Sequence, residues 1–398
     1  MTDSCDILIS GGGIAGLTAA AAFGSAGFEV VCVDPAAMKT DADSDGADLR
    51  STAMLQPARA VLERGGLWER LAPHAAPLKI MRIIDAGRED ATPHVVREFD
   101  ATEISEQPFG WNFPNWLLAR ELTARLKALD TVDFRPGVAT TRLFTRTDSA
   151  KVSLSDGSRI TAKLVIAADG RASPMRQAAG IGVHTRRYGQ KAVVFAVTHP
   201  IPHENVSTEV HRSGGPFTLV PLPDRDGLPC SAVVWMDDGP RAQERMDLDI
   251  AAFEAEASER SCHHFGHLTL ASKRQIWPII TQHADRLSAE RVALIAEAAH
   301  VIPPIGAQGL NMSLNDIATL LDLAEARRNG LGDQQMLDAY HKARYGDITL
   351  RVNGIDILNR VSQANSGFAR DVRAAGLSAL YAAPPLRKML MQMGLGAR

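Results

Sequence analysis

The sequence predicts an α/β fold: a parallel-sheet domain assembled from separated pieces of chain, a strand-rich domain inserted between them, and a helical C-terminus. Three observations carry this. The first thirty or so residues read as strand, glycine-rich turn, helix, strand and acid. A strand-rich block from Lys191 to Met236 interrupts a pattern that resumes near Arg291, and from Gly309 onward the chain is mostly helical. Ile7-Leu8-Ile9 is a short apolar run bounded by turn residues, the mark of a buried strand. Ser10 to Gly16 then spells Gly-x-Gly-x-x-Gly on Gly11, Gly13 and Gly16, and Leu17 to Ala26 continues as an Ala-rich helix. Phe28 to Val33 is a second strand, closed by Asp34. This is the order a Rossmann-like dinucleotide site needs. Gly11 permits the tight turn, Gly13 lets the backbone approach a pyrophosphate, and Gly16 lets the helix lie close on the sheet. The bare N–H groups and the positive dipole end at the helix start face the phosphates. Asp34, 23 residues beyond Gly11, accepts from the hydroxyls of an adenosine ribose.

The bulk properties narrow the class. A length of 398 residues allows two or three domains, and 45% hydrophobic with 22% charged residues is ordinary for a globular chain with a sizeable core. A net charge of −3 gives no reason to expect nucleic acid binding. Cys5, Cys32, Cys230 and Cys262 show no Cys-x-x-Cys spacing and no zinc pattern, so no metal site is expected and the chain reads as reduced and cytoplasmic. The nucleotide pattern begins almost at Met1, which leaves no room for a cleavable signal, and no apolar run reaches the ~18 residues of a spanning helix.

After Asp34 an acidic loop runs to Asp48, and Arg50 to Ala53 leads into a helix through Leu62. Leu78 to Phe99 reads as strands. Leu118, Leu122, Leu126 and Leu129 recur at helical spacing, with Arg120 and Arg125 between them. Val152 to Leu154, Asp156-Gly157 and Leu164 to Ala167 give strands and a hairpin turn, Leu248 to Arg260 a helix, and Arg291 to Ile295 another buried strand. The expected division is residues 1–75, 112–182 and 285–345 for the nucleotide domain, 76–111 and 183–284 for the inserted substrate domain, and 346–398 for the helical C-terminal region.

Two further stretches bear on which dinucleotide is bound. Leu164 to Arg176 is a buried strand delivering Asp169-Gly170 into a turn, with a helix starting near Ser173. Val292 to Asp316 is a strand, Ala296-Glu297-Ala298-Ala299-His300, Pro303-Pro304, then Gly306-Ala307-Gln308-Gly309-Leu310-Asn311 opening a helix. With the glycine fingerprint, and in this order, they resemble the aromatic-ring flavoprotein monooxygenases of the para-hydroxybenzoate hydroxylase type. The resemblance rests on Asp169, Gly170, Ser173 and Arg176 in one motif and on Ala298, Ala299, His300, Pro304, Gln308, Gly309 and Asn311 in the other. It implies non-covalent FAD, with Gly11, Gly13, Gly16, Asp34 and Asp169 among the cofactor-binding residues and Arg50 near the pyrophosphate. It also places Arg120, Pro304, Gly306, Gly309, Leu310 and Asn311 beside the flavin. The family's Gly-Asp pair is Ala296-Glu297 here, so Glu297 is expected to take over the ribityl contact, and Ala307 stands where the motif has its first Gly.

A narrower likeness, carried by Tyr188 to Ala192, Gly215 to Leu222, Val234-Trp235 and Ala307 to Leu314, is to the ubiquinone-biosynthesis hydroxylases. It implies ring hydroxylation of a polyprenylated phenol with O2, through a flavin C4a-hydroperoxide, and with NAD(P)H as a transient reductant. Alternatives are a hydroxylase of a soluble phenolic compound and a non-catalytic flavin-binding scaffold of the same pathway. The catalytic base stays unassigned: Tyr188, His199, His203 and Tyr340 qualify by chemistry alone. From Asn359 to Arg398 six basic side chains face the single Asp371, and Leu386, Met389, Leu390 and Met393 fall on one helical face. That pattern fits either a packing helix or peripheral contact with the inner face of a membrane. Partners in the ubiquinone pathway and a homo-oligomeric state are open expectations.

Overall fold

The computed structural model describes residues 2–86, 95–212, 214–363, 381 and 383–395. Arg370, Arg373, Arg398, Phe368, Leu377 and Leu380 of the C-terminal pattern lie outside the described residues.

The strand Thr2–Ser10 lies between Arg159–Ala167 and Val30–Asp34, parallel to both. Val292–Leu294 and Val132–Pro136 extend the sheet on either side, again parallel. Parallel pairing brings the carboxyl ends of all five strands to one edge, and it is this that gathers the three motifs. Ser10, Asp34, Ala167 and Leu294 end their strands there, and the glycine turn, Asp169 and Ala296-Glu297 follow directly. The helix Ile14–Ser25 is buried along most of its length. Alanine side chains let it settle on the sheet, because larger ones would hold the two layers apart.

Among the described residues a second sheet has nine strands, of which Gln275–Ala284, Val183–Thr198, Leu228–Asp238, Gly215–Arg225, Val206–Arg212, Ile80–Asp85 and Val95–Asp100 pair in that order. Side chains alternate across such a sheet. Val193, Phe195, Val210, Phe217, Val233 and Trp235 point to one face and pack with Phe253 of the helix Ile250–Arg260. Phe195 and Phe253 meet edge-on at 4.8 Å between ring centroids, as do Phe217 and Trp235 at 5.3 Å. The residues between them face the nucleotide domain instead. A small sheet of Ser51–Leu55, Ala76–Leu78 and Gly110–Pro114 closes one side of the space between the two large sheets. The first of these is a correction: the stretch after Arg50 forms a strand before its helix, Gln56–Arg64, begins.

Candidate active site

The carboxyl edge of the parallel sheet, the inner face of the inserted sheet and the turn from Ala296 to Gly309 enclose a cavity of about 800 Å³. At one end lie Gly13, Ile14 and Gly16 at the helix start, with Arg50, Gly170, Arg171, Ala296 and Glu297. Pro303, Pro304, Gly306, Gly309 and Leu310 form one wall, and Met81, Ile83, Val194, Thr218, Val220 and Val234 the floor.

The three fingerprint glycines have distinct surroundings. A Cβ on Gly11 would come 2.3 Å from the Ala168 carbonyl oxygen, and one on Gly16 would come 1.9 Å from that of Gly11. Gly11 is also in the left-handed region at φ +107°. These two are glycine because backbone lies against them. A Cβ on Gly13 would meet nothing within 4 Å, so that position opens onto the cavity. No side chain caps the helix there, which leaves its first N–H groups free for an anion. The same holds at Gly309, which also borders the cavity: a Cβ there would meet no neighbour within 4 Å at the uncapped start of the helix Gln308–Ala326. Two bare helix starts bordering one cavity suit a ligand with a pyrophosphate and an electron-rich ring edge.

Asp34 accepts from the Gly12 N–H at 2.6 Å, which fixes the turn to the second strand, and it stands beside the cavity lining without being part of it. Arg50 lies over the Trp277 ring at 4.5 Å and forms a two-pronged pair with Asp48. Burial opposes the charge on Asp48, yet the Arg50 guanidinium and the Asn115 amide together hold its carboxyl below the usual range. Asp169 accepts from the Ser173 hydroxyl and, at 3.0 Å, from the Met175 N–H, so it ties down the helix after the turn. Burial raises its pKa despite those donors. Arg176 is buried and donates to the carbonyls of Ala298 and Arg171, clamping the second motif onto the third. Asn311 accepts from the Leu55 N–H and donates to the carbonyls of Ala53 and Ala307. It holds the loop to the small sheet and does not border the cavity. Arg120 does not border the cavity either: it pairs with Glu121 and lies over Trp116.

Glu297 borders the cavity with its carboxylate 3.0 Å from Arg171. Ala296 and Ala307 both adopt the left-handed backbone, at φ +55° and +56°. The glycines of the resembled motif thus have a physical reason, and this chain holds alanine in their place.

Sequence reasoning missed a buried charge chain. His300 Nε2 contacts Asp316 at 2.7 Å, and Arg344 bonds the other Asp316 oxygen at 2.8 Å. Arg344 also bonds Asp347, which takes Arg351, whose guanidinium donates to Gln308 at 2.8 Å. Arg344, Asp347 and Arg351 stand at helical i, i+3 and i, i+4 spacing, but no spacing signal joins them to His300, Gln308 or Asp316. None of the four base candidates borders the cavity. His199 is tied to Ile201 and Ser231, His203 to Leu222, Tyr340 to Leu294, and Tyr188 to Thr281 and Asp356. Of the thiols, burial pushes Cys5 up to about 12 and Cys230 to about 11, and neither borders the cavity.

A parallel sheet with a bare helix start is joined through a cavity to a mostly antiparallel sheet, and comparison with known proteins places the chain among the FAD-dependent monooxygenases. The profile described as FAD binding domain matches residues 4–348, and the chain belongs to that family. Ubiquinone hydroxylase UbiL of Rhodospirillum rubrum is 31% identical, over 98% of this chain and 89% of that protein. The 3-demethoxyubiquinol 3-hydroxylase of Escherichia coli is 28% identical over 98% of each. Among solved structures, p-nitrophenol 4-monooxygenase PnpA from Pseudomonas putida superposes with a TM-score of 0.79 at 18% identity, covering 100% of both chains. PqsL of P. aeruginosa gives 0.78 at 21% identity, over 92% of this chain and 99% of that one. At such identities these two share the fold alone.

Proposed function

We propose that this protein hydroxylates the ring of a polyprenylated phenol in ubiquinone biosynthesis, using FAD, O2 and NAD(P)H. The relatives' names support the pathway, and the cavity supports the chemistry. Its carrying observation is the composition of the walls: a space of about 800 Å³ lined mainly by aliphatic side chains, bounded at one end by the bare helix start. Bound FAD supplies the reduction by NAD(P)H and the activation of O2. The chain's own contribution is to bind, orient and exclude water. The Gly13 helix start and Arg50 would hold the pyrophosphate, with Asp34 at the ribose. Glu297 would take the ribityl chain, with Pro304, Gly306, Gly309 and Leu310 along the ring. Asp169 and Asn311 would act one step behind, by fixing the loops that carry those groups; Arg120 has no part in this set.

The C-terminal helix Pro384–Leu395 extends the reading to the membrane. It packs with Met391 and Leu395 buried in the cavity wall, which Leu390 also borders, while Leu386, Met389 and Met393 are 44–53% exposed. Leu350, Ile357 and Leu358 are more exposed still, on the helix Gln334–Gln363. Gln308 links the two helices by bonding Gly394 and Arg351. Among the described residues no helix is long and apolar enough to cross a membrane. The unpacked apolar stripe favours a peripheral contact through which a tailed substrate reaches the cavity. Purified holoenzyme should convert a prenylated phenol to its hydroxylated product, detected by mass spectrometry, with NAD(P)H consumed in step. Oxidation of NAD(P)H without product would refute the reading. Truncation after Pro384 should reduce binding to anionic vesicles and turnover of long-tailed substrate while FAD stays bound. Equal vesicle binding by the truncated chain would refute the membrane contact.

A further inference from the structure

We propose that Glu209, backed by His211, makes the cavity selective for a neutral ring hydroxyl and hostile to a ring carboxylate. The proposal rests on the reading above that the cavity takes a phenol. Glu209 lies on the strand Val206–Arg212, on the face turned away from the aromatic core, and it borders the cavity with Ser207. Thr218 stands opposite it in the register of the next strand and Ile83 beside it in the parallel one. Ser207, Glu209 and Thr218 thus form a polar group on a floor otherwise built from Met81, Ile83, Val194, Val220 and Val234. His211, two residues along and on the same face, brings Nε2 to 2.7 Å from Glu209 Oε1.

The charges around the cavity make this group distinctive. Each bordering arginine is already matched by a carboxylate: Arg50 by Asp48, Arg171 by Glu297 and Arg387 by Glu103. His300 is held by Asp316. Among the described residues no lysine or arginine pairs with Glu209, whose one ionic partner is His211. A benzoate entering here finds no unmatched guanidinium and meets the Glu209 carboxylate, and building a repulsive contact against the wrong ligand is a recognised route to specificity. An ionised carboxylate can only accept, so the ligand edge it favours is a donor, such as a phenol O–H. Accepting that bond also draws the phenol toward phenolate and raises the electron density at its ortho and para carbons. Those are the positions an electrophilic oxygen attacks.

The test uses FAD-loaded enzyme and three probes that share a short isoprenoid tail: a phenol, its methyl ether and the corresponding benzoic acid. Dissociation constants are read from the perturbation of flavin absorbance. The wild type should bind the phenol at least about tenfold tighter than either analogue, since a site built to hydrogen-bond a hydroxyl discriminates strongly against its loss. Glu209→Gln, with unchanged FAD content and melting temperature, should lower the phenol-to-benzoate preference by at least about tenfold. It should also cut kcat for the phenol more than it changes KM. Equal binding of the three probes by the wild type would overturn the proposal without any variant. A Gln variant that keeps the wild-type preference would overturn it as well. Wild-type enzyme that neither binds nor hydroxylates any tailed phenol would overturn the substrate reading itself, a result distinguishable from both.

Discussion

Replacing Gly13 and replacing Gly16 should break the protein in different ways. At Gly13 the backbone is φ −68°, ψ 176°, an extended conformation that valine adopts freely. Its Cβ would meet no protein atom within 4 Å. Gly13→Val should therefore leave the apoprotein as stable as the wild type while its isopropyl group occupies the space before the helix start. Hydrogen bonds to a charged partner contribute about 1.5–3 kcal/mol each, so losing two N–H contacts to the pyrophosphate removes about 3–6 kcal/mol. That is a hundredfold to ten-thousandfold loss of FAD affinity, and the purified variant should be colourless. Gly16→Ala should do the reverse. Its methyl would sit 1.9 Å from the Gly11 carbonyl oxygen, where backbone on both sides has little room to give. Overpacking costs about 1–3 kcal/mol even where side chains can adjust, so the loss should be at the top of that range or beyond. The assay pairs urea denaturation of the apoproteins with FAD titration by fluorescence quenching. A flavin-replete Gly13→Val, or a Gly13→Val as unstable as Gly16→Ala, would refute the reasoning.

The left-handed alanines make a second prediction: an L-residue there costs about 1–2 kcal/mol, and glycine's extra unfolded-chain entropy returns about 0.4–1. Ala296→Gly and Ala307→Gly should each stabilise the apoprotein by about 0.5–1 kcal/mol, and an unmoved urea midpoint would show that neither site is strained. Glu297→Ala should weaken FAD by about one to two kcal/mol if the carboxylate serves the ribityl hydroxyls; an unchanged or tighter affinity would assign Glu297 to Arg171 alone. Asp48, held below the ordinary carboxylate range, adds stability above its unfolded pKa that is lost as pH falls through the lower, folded one. Asp48→Asn should therefore flatten the acid limb of the stability profile below about pH 4, and a profile parallel to the wild type would exclude Asp48 from it.

How much of this was legible depends on whether the chemistry is local in sequence. The glycine turn, the Asp-Gly turn and the proline-glycine loop each work through adjacent backbone, so each is written in consecutive residues. Parallel pairing of Thr2–Ser10 with Arg159–Ala167, and of that strand with Val292–Leu294, then brings them to one edge. Contacts made across the fold leave no such trace. Arg120 shares a helix with the cavity's neighbours and points elsewhere, because helical spacing gives a face but not what that face meets. The Leu386 to Met393 stripe shows the same limit from the other side. Its spacing was compatible with packing, yet the helix packs through Met391 and Leu395, one step round the cylinder.

The catalytic candidates failed for a related reason. Tyr188, His199, His203 and Tyr340 were chosen by residue type, and burial satisfied each with a partner of its own. A polar group in a cavity is distinguished by the partners it lacks, and a sequence does not record these. Glu209 shows what was needed. In a strand reading Val-Ser-Thr-Glu-Val-His-Arg its type is unremarkable, and alternation alone leaves two possible faces. Val210, fully buried against Phe217 and Trp235, fixes the core side. Once that side is fixed, Ser207, Glu209 and His211 must share the other, and among the described residues Glu209 is left as a cavity carboxylate paired with His211 and matched by no arginine or lysine. Specificity here is set by the charge balance of the enclosed wall, to which three sheets and a C-terminal helix contribute. That balance exists only once the chain has folded.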